Sequence, residues 1–229
     1  MKDEKALFMR QAIAAAMEKS HREIPHYYLE TEIPLDAALS WLARENARRA
    51  PPDRLLPVVL FLKAVALAAV KFPEMNGLYV DGGFRPAEAV HTGVVIALRG
   101  GGLLAPALHD VQAKPLSDLA RGLTDLVTRV RSGRLRGSEL TDPTITVTSL
   151  GDEGCDRVFG IIYPPQVALV GFGTIREAAV SEKGQVVSRR IVSASLAADH
   201  RVSDGLKGAA FLNAIAKALQ FPQDLEAGR

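Results

Sequence analysis

The stretch from Leu55 to Val70 is apolar almost without interruption; only Pro57 and Lys63 break it. It falls short of the ~20 residues a membrane span requires. A helix that is apolar on nearly every side is stable in water only when other elements cover it all round. Ala50-Pro51-Pro52-Asp53 stops the chain before this run and Phe72-Pro73 stops it after, because the residue ahead of a proline is pushed out of the helical region. The fold must therefore enclose a helix from about Leu55 to Lys71. A chain of 229 residues is long enough to do so within one large domain. No repeat and no Pro/Gly/Ser-rich linker divides it, so residues 1–229 are expected to form a single domain.

The remaining pattern alternates helix and strand. Residues 4–19 read as an amphipathic helix, with Leu7, Ile13, Ala14 and Met17 at helical spacing. His26 to Leu35 alternates as a strand, and Asp36 is placed to cap a helix reaching about Arg49. Strands are expected at Val94–Leu98, Leu103–Leu108, Thr144–Leu150, Val167–Phe172 and Val186–Leu196, and further helices at Leu116–Ser132 and Gly208–Leu219. Gly100-Gly101-Gly102 lacks both the Lys-Ser/Thr of a P-loop and dinucleotide spacing, and reads as a tight hairpin-type turn. Together these predict an α/β protein, with helices packed on a mixed sheet.

Composition excludes several classes of function. Charged residues make up 24% of the chain and the formal net charge is +2, so no nucleic-acid partner is expected. A single cysteine, Cys155, rules out an internal disulfide and a cysteine-based zinc site, and no metal is expected. The charged start, Met1-Lys2-Asp3-Glu4-Lys5, leads into a helix pattern rather than a signal peptide. With no membrane segment, a cytoplasmic location is expected.

The segment Asp199-His200-Arg201-Val202-Ser203-Asp204-Gly205 carries the chemistry. Histidine takes and returns a proton near neutral pH. Asp204 follows it by four residues, a spacing that puts both on one face of a helical turn. The segment joins a strand to a helix, where catalytic groups are often held. Taken alone, these residues fit a solvated surface turn equally well, with Asp-Gly as its corner.

Four other segments narrow the choice: Ile24-Pro25-His26-Tyr27-Tyr28, Phe72-Pro73-Glu74-Met75-Asn76, Gly102-Leu103-Leu104-Ala105-Pro106 and Ile161-Ile162-Tyr163-Pro164-Pro165-Gln166. With Asp199–Gly205 they occur in the order found in the catalytic domain of the dihydrolipoamide acyltransferases (E2) of 2-oxo-acid dehydrogenase complexes, and the chain resembles that family over nearly its whole length. The resemblance implies a chloramphenicol-acetyltransferase-like two-layer sandwich. It also implies acyl transfer between a dihydrolipoyl sulfur and coenzyme A, with His200 as general base. The family serine that stabilises the tetrahedral oxyanion is replaced by Thr148 of Thr148-Ser149-Leu150-Gly151. Ser149, the alternative donor, belongs to the other face of the strand. Asp204 is carried over as an orienting carboxylate paired with Arg10 of the first helix; Asp199, Arg201 and Gly205 complete the supporting set.

By the same resemblance, the active form is a homotrimer in which His200 of one subunit faces Thr148 of the next. No lipoyl or peripheral subunit-binding domain is visible, so the lipoyl group is expected in trans, from a lipoyl-bearing or 2-oxo-acid dehydrogenase component. The family's leucine-rich C-terminal plug is reduced to Leu225, and assembly is expected to stop at a trimer. Two other readings are a same-fold CoA acyltransferase with a different acceptor and a non-catalytic E2-like scaffold.

Overall fold

The computed structural model describes residues 2–98, 102–151 and 154–227. Helix α1 (Lys2–Glu23) leads to strand β1 (His26–Pro34), then helices α2 (Asp36–Ala47) and α3 (Pro57–Lys71). A hairpin of β2 (Gly77–Val80) and β3 (Gly83–Pro86) is followed by β4 (Thr92–Val94), β5 (Ile96–Ala97), β6 (Leu103–Leu104) and β7 (Ala107–Leu108). Helices α4 (Leu116–Arg131) and α5 (Gly137–Thr141) precede β8 (Ile145–Ser149), β9 (Ala168–Phe172), β10 (Arg176–Glu182) and β11 (Gln185–Asp199). Helices α6 (Gly205–Gln220) and α7 (Pro222–Ala227) end the described chain.

The main sheet runs β1-β11-β9-β8-β4-β7, with β10 also paired to β11. Strands β4, β8 and β9 are mutually parallel, and the other pairs are antiparallel. Strand side chains alternate between faces. Val192, Ala194, Leu196 and Ala198 of β11 enter the main core beneath the helices, whereas Ser193 and Ser195 face the other way, as does Ala197 in a small second cluster with Ile24, Ile162 and Leu169. The mixed sheet with helices on it agrees with expectation.

Helix α3 is the enclosed helix that the apolar run demanded, with every residue from Val59 to Ala66 buried. Lys63 lies inside the protein at 1% exposure. Its ammonium donates to the carbonyl oxygens of Val111, Gln112 and Lys114 at 3.2, 2.7 and 2.7 Å. All three of its donors are thereby used, which makes burial of the charge tolerable.

Several boundaries differ from the sequence reading. Leu35 occupies the N-cap position of α2 and Asp36 is its first residue. The run Val94–Leu98 is split between β4 in the main sheet and β5, which pairs with β6 in a separate two-stranded sheet. Of the expected glycine turn only Gly102 is described, its oxygen accepting from the Leu98 N–H at 3.1 Å; Gly100 and Gly101 fall outside the described residues. Among the described side chains of helix α1 the expected apolar stripe is only partly covered: Leu7 is 59% exposed and Ala14 is exposed, while Ile13 and Met17 are half-buried. Its anchor is at the C-terminal end, where the Ser20 hydroxyl donates to the Ile162 oxygen at 2.6 Å. Leu225 is no surface plug: it is 1% exposed in the protein's own core.

A strap, residues 155–163, crosses the helix-free face of the sheet. Glycines let it lie directly on β9. A Cβ on Gly171 would come within 2.7 Å of Val158, and one on Gly173 within 1.9 Å of the Asp156 oxygen. The strap is pinned by Ser195, whose hydroxyl donates to the Val158 oxygen, and by Arg157, which donates to Glu30 at 2.5 Å.

Candidate active site

The Asp199–Gly205 segment is the connection from the end of β11 to the start of α6. Its first residue is locked in place. Asp199 is fully buried and accepts from the Arg201 backbone N–H at 2.9 Å, from Arg201 Nε at 3.0 Å and from Arg201 Nη2 at 2.6 Å. This pairing holds the guanidinium above its ordinary pKa range, the hydrogen bond to Asp199 being the main cause. The guanidinium also lies 3.8 Å from the centre of the Tyr79 ring, a cation–π contact.

The same turn is tied down on its other sides. The His200 N–H donates to the Pro25 oxygen at 2.9 Å, and the Ser203 N–H donates to the Asp199 oxygen at 3.1 Å. Ser203 Oγ and the Tyr27 hydroxyl are 2.8 Å apart. Lys207 Nζ reaches Glu74 at 2.8 Å, holding that carboxyl below its usual range and joining the turn to the Phe72–Asn76 segment. Asn76 is buried and fully used: its amide donates to the Ala87 and Ala89 oxygens, and its carbonyl accepts from Thr144 at 2.6 Å. Gln166 accepts from Thr146 at 2.7 Å. The Ile24–Tyr28, Phe72–Asn76, Ile161–Gln166 and Asp199–Gly205 segments thus meet around one end of the sheet, whereas Gly102–Pro106 lies beyond the other end of β4, paired with β5.

His200 itself projects from this braced turn and is exposed. Its ring meets Tyr27 edge-on, with centroids 5.3 Å apart at 72°. Asp204 does not share a helical turn with it. Asp204 is the N-cap of α6, in extended backbone, and accepts from the Lys207 N–H at 3.0 Å. Arg10 is exposed on α1, and among the described residues no ion pair joins it to Asp204 within the protomer. Gly205 is the first residue of α6; its φ is not positive, and nothing lies within 4 Å of a Cβ built on it. The protomer alone gives no steric reason for glycine there.

Thr148 lies on β8, 8% exposed, and among the described residues no hydrogen bond within the chain engages its hydroxyl. Ser149 is exposed and faces the helix side. Register sets the distance from Thr148 to His200. Thr148 pairs with Gly171, and Gly171 with Ser195. Asp199 is four residues further along β11, so the two backbones are separated by ~13 Å along the strand and ~10 Å across it, roughly 16 Å in all.

A groove of about 730 Å³ opens on the helix side, at the C-terminal ends of β4 and β8. Leu56, Phe61, Val94, Ile96 and Val127 make it apolar, and Ser149 and Gly151 lie at its strand end. Arg54, Thr124 and Thr128 also line a second cavity of about 590 Å³, whose lining includes Arg48, Arg49 and Arg121 together with Asp53 and Asp125. Arg49 Nε is buried there without a hydrogen-bond partner among the described residues. Neither these arginines nor Tyr27 and Ser203 were singled out from the sequence. Scattered arginines carry no motif, and Tyr27 was visible only as part of a strand signature. Among the described residues, no group of three His, Cys, Asp or Glu is arranged to hold a metal ion, and no helix is long and apolar enough to cross a membrane.

Comparison with known proteins gives a consistent result. The family of 2-oxoacid dehydrogenases acyltransferase (catalytic domain) matches residues 1–227. The lipoamide acyltransferase component of the branched-chain alpha-keto acid dehydrogenase complex of Pseudomonas aeruginosa is 32% identical over 224 residues, covering 95% of this chain and 51% of that protein. A probable dihydrolipoamide acetyltransferase from Listeria monocytogenes superposes with a TM-score of 0.88 at 28% identity, covering 93% of this chain and 91% of that one. Chloramphenicol acetyltransferase shares the fold alone, with a TM-score of 0.58 at 14% identity over 90% of this chain and 94% of its own. The chain spans about half the length of the curated relatives it matches.

Proposed function

Because this chain belongs to the 2-oxoacid dehydrogenase acyltransferase (catalytic domain) family, we propose that it transfers an acyl group between the sulfur of coenzyme A and the sulfur of a dihydrolipoyl group supplied by another polypeptide or domain. The observation that carries this reading is the braced turn that presents an exposed His200. A base must keep its position while its proton comes and goes, and every neighbour of His200 in the turn is held by a hydrogen bond or an ion pair.

His200 removes the proton of the attacking thiol. A free thiol titrates near ~8.5 and is mostly protonated at neutral pH, so a positioned base raises the concentration of nucleophile. The sulfur bonds to the thioester carbonyl carbon, and the carbonyl electrons move to oxygen. The Thr148 hydroxyl donates to that oxyanion. The intermediate collapses with cleavage of the original C–S bond, and the departing thiolate takes the proton back from His200. Each group must sit within about 3 Å of its target atom. The roughly 16 Å between the two backbones on one sheet supports a site assembled from two subunits, as in a trimer with Thr148 supplied by a neighbour. Asp204 and Arg10 are proposed to pair in that assembly, where the exposed α1 can meet another subunit.

The groove supports coenzyme A as the thiol substrate. The adjoining cavity, lined by four arginines against two aspartates and with Arg49 Nε lacking a partner among the described residues, suits the phosphates, because guanidinium groups bind phosphate through paired N–H donors. The apolar length beyond suits the pantetheine arm, and its far end lies next in sequence to Thr148. The test is a thioester absorbance assay with acetyl-, succinyl- and branched-chain acyl-CoA against dihydrolipoamide. One acyl-CoA should support transfer, and His200→Ala should lower its rate by at least ~10²-fold. A His200→Ala enzyme retaining most of the activity, or no transfer with any acyl-CoA, contradicts the reading.

A further inference from the structure

We propose that Tyr27 is a positioning residue that sets the plane of the His200 ring, and that Ser203 holds Tyr27 in place to do so. The inference rests on the reading of His200 as the base, but the contacts that carry it belong to the protein whatever the reaction.

Within the chain, the His200 ring has no hydrogen-bond partner among the described side chains; only its backbone N–H is engaged, by Pro25. Free rotation about its side-chain bonds would scatter the ring nitrogens. The contact that limits this rotation is Tyr27, whose ring meets the imidazole edge-on at 5.3 Å and 72°. Aromatic pairs favour this arrangement, in which the positive edge of one ring meets the negative face of the other.

Tyr27 is itself fixed at both ends. Its backbone is in β1, paired with Ala198 two residues before His200, so the strand sets its ring beside the turn that follows β11. Its hydroxyl shares a 2.8 Å hydrogen bond with Ser203 Oγ, and Ser203 belongs to the same turn as His200. The ring fits against α6 only because residue 208 is glycine: a Cβ there would lie 2.9 Å from both the Tyr27 hydroxyl and its Cε2. Burial, together with the nearby Asp204 carboxylate, raises the phenol pKa against the lowering effect of the Ser203 hydrogen bond, so the hydroxyl stays protonated where a histidine titrates. The strand, the hydroxyl pair and the glycine together clamp a flat surface beside the imidazole.

This clamp explains a feature of the sequence that the base alone leaves idle. Between His200 and Asp204, position 203 needs a hydroxyl to reach Tyr27, and Ser203 supplies it.

The test uses Tyr27→Leu, Tyr27→Phe, Ser203→Ala and the double variant Tyr27→Phe/Ser203→Ala in the full chain, with His200→Ala alongside. Tyr27→Leu removes the ring and should lower kcat by about 10- to 100-fold with KM within twofold, as a small misplacement of a reacting group does. Tyr27→Phe keeps the ring and should lose less. Ser203→Ala should match it, and the double variant should be no worse than either single one, because all three remove the same hydroxyl pair. Nuclear magnetic resonance of the His200 ring protons supplies a readout independent of turnover: their shifts should move in Tyr27→Leu and stay close to wild type in Tyr27→Phe. A folded Tyr27→Leu variant with wild-type kcat and unmoved His200 signals overturns the proposal. If wild type shows no transfer, or His200→Ala is fully active, the reading of His200 as the base fails separately, and the ring signals alone then decide whether Tyr27 positions the imidazole.

Discussion

Replacement of Arg201 by methionine should destabilise the protein far more than loss of a surface charge. The Asp199 carboxylate is fully buried and receives the backbone N–H and the Nε and Nη2 groups of Arg201. Removing the guanidinium leaves a buried anion with one backbone donor. Breaking a buried ion pair costs about 3–5 kcal/mol, and the lost stacking on Tyr79 adds about 0.5–1 kcal/mol. The Arg201 side chain is 31% exposed, so water can enter the vacated space and the total should lie near the lower end, about 3 kcal/mol. For a domain of this size that corresponds to a fall in Tm of about 6–12 °C. Thermal and urea unfolding should be compared at one protomer concentration, since an assembled chain's stability depends on it. Adding Asp199→Asn removes the orphaned charge and should restore at least half of the loss. A single variant within about 1 kcal/mol of wild type, a large fraction below the expected cost, or a double variant less stable than the single one, refutes the buried-pair explanation.

Two further outcomes follow from the fold. Gly173→Ala places a Cβ 1.9 Å from the Asp156 oxygen, a backbone atom that cannot swing away, so the strap must lift; a loss of about 1–3 kcal/mol in urea unfolding checks this. Burial depresses the His91 pKa, with His109 and Lys114 acting in the same direction and Asp110 and Asp142 opposing it. The neutral ring is therefore favoured in the folded state, and its Nδ1 accepts the Asp110 N–H at 3.1 Å. Its contribution is complete above the ordinary histidine value of ~6.5 and declines as pH falls through it toward the lower folded value. Tm measured from pH 7.5 down to 5 should therefore slope less in His91→Gln than in wild type, and parallel curves would exclude His91 as the cause.

The layered fold was legible because it rests on apolar patterning. The Leu55–Val70 run required an enclosed helix, and strands such as Ala168–Phe172, buried at every position, left little alternative. Elements without a buried face were missed. Strand β10 alternates half-buried with exposed residues on an outer ribbon paired to β11, and β2–β3 form a small separate hairpin. Helix α1 reads as amphipathic, yet among its described residues no apolar side chain joins the core of the protomer, and patterning cannot tell a core-facing stripe from one left for another surface. At the candidate site, the sequence points to Asp199–Gly205 and Thr148 by type and order, but spacing misleads about their geometry: Asp204 caps α6 rather than sharing a turn with His200. The clamp of Tyr27 and Ser203 joins positions 176 residues apart, and such a contact is created only by the β1–β11 register.

The β8–β9 and β9–β11 registers keep His200 and Thr148 apart on one chain, so the decisive experiment is complementation. His200→Ala and Thr148→Ala subunits, each inactive or nearly so, should be dissociated, mixed and reassembled, then assayed for acyl transfer from acyl-CoA to dihydrolipoamide. If the site forms between subunits, mixed assemblies recover a substantial fraction of wild-type activity, because some interfaces combine an intact His200 with an intact Thr148. Confirmed mixed assemblies that stay as inactive as the separate variants would contradict a shared site.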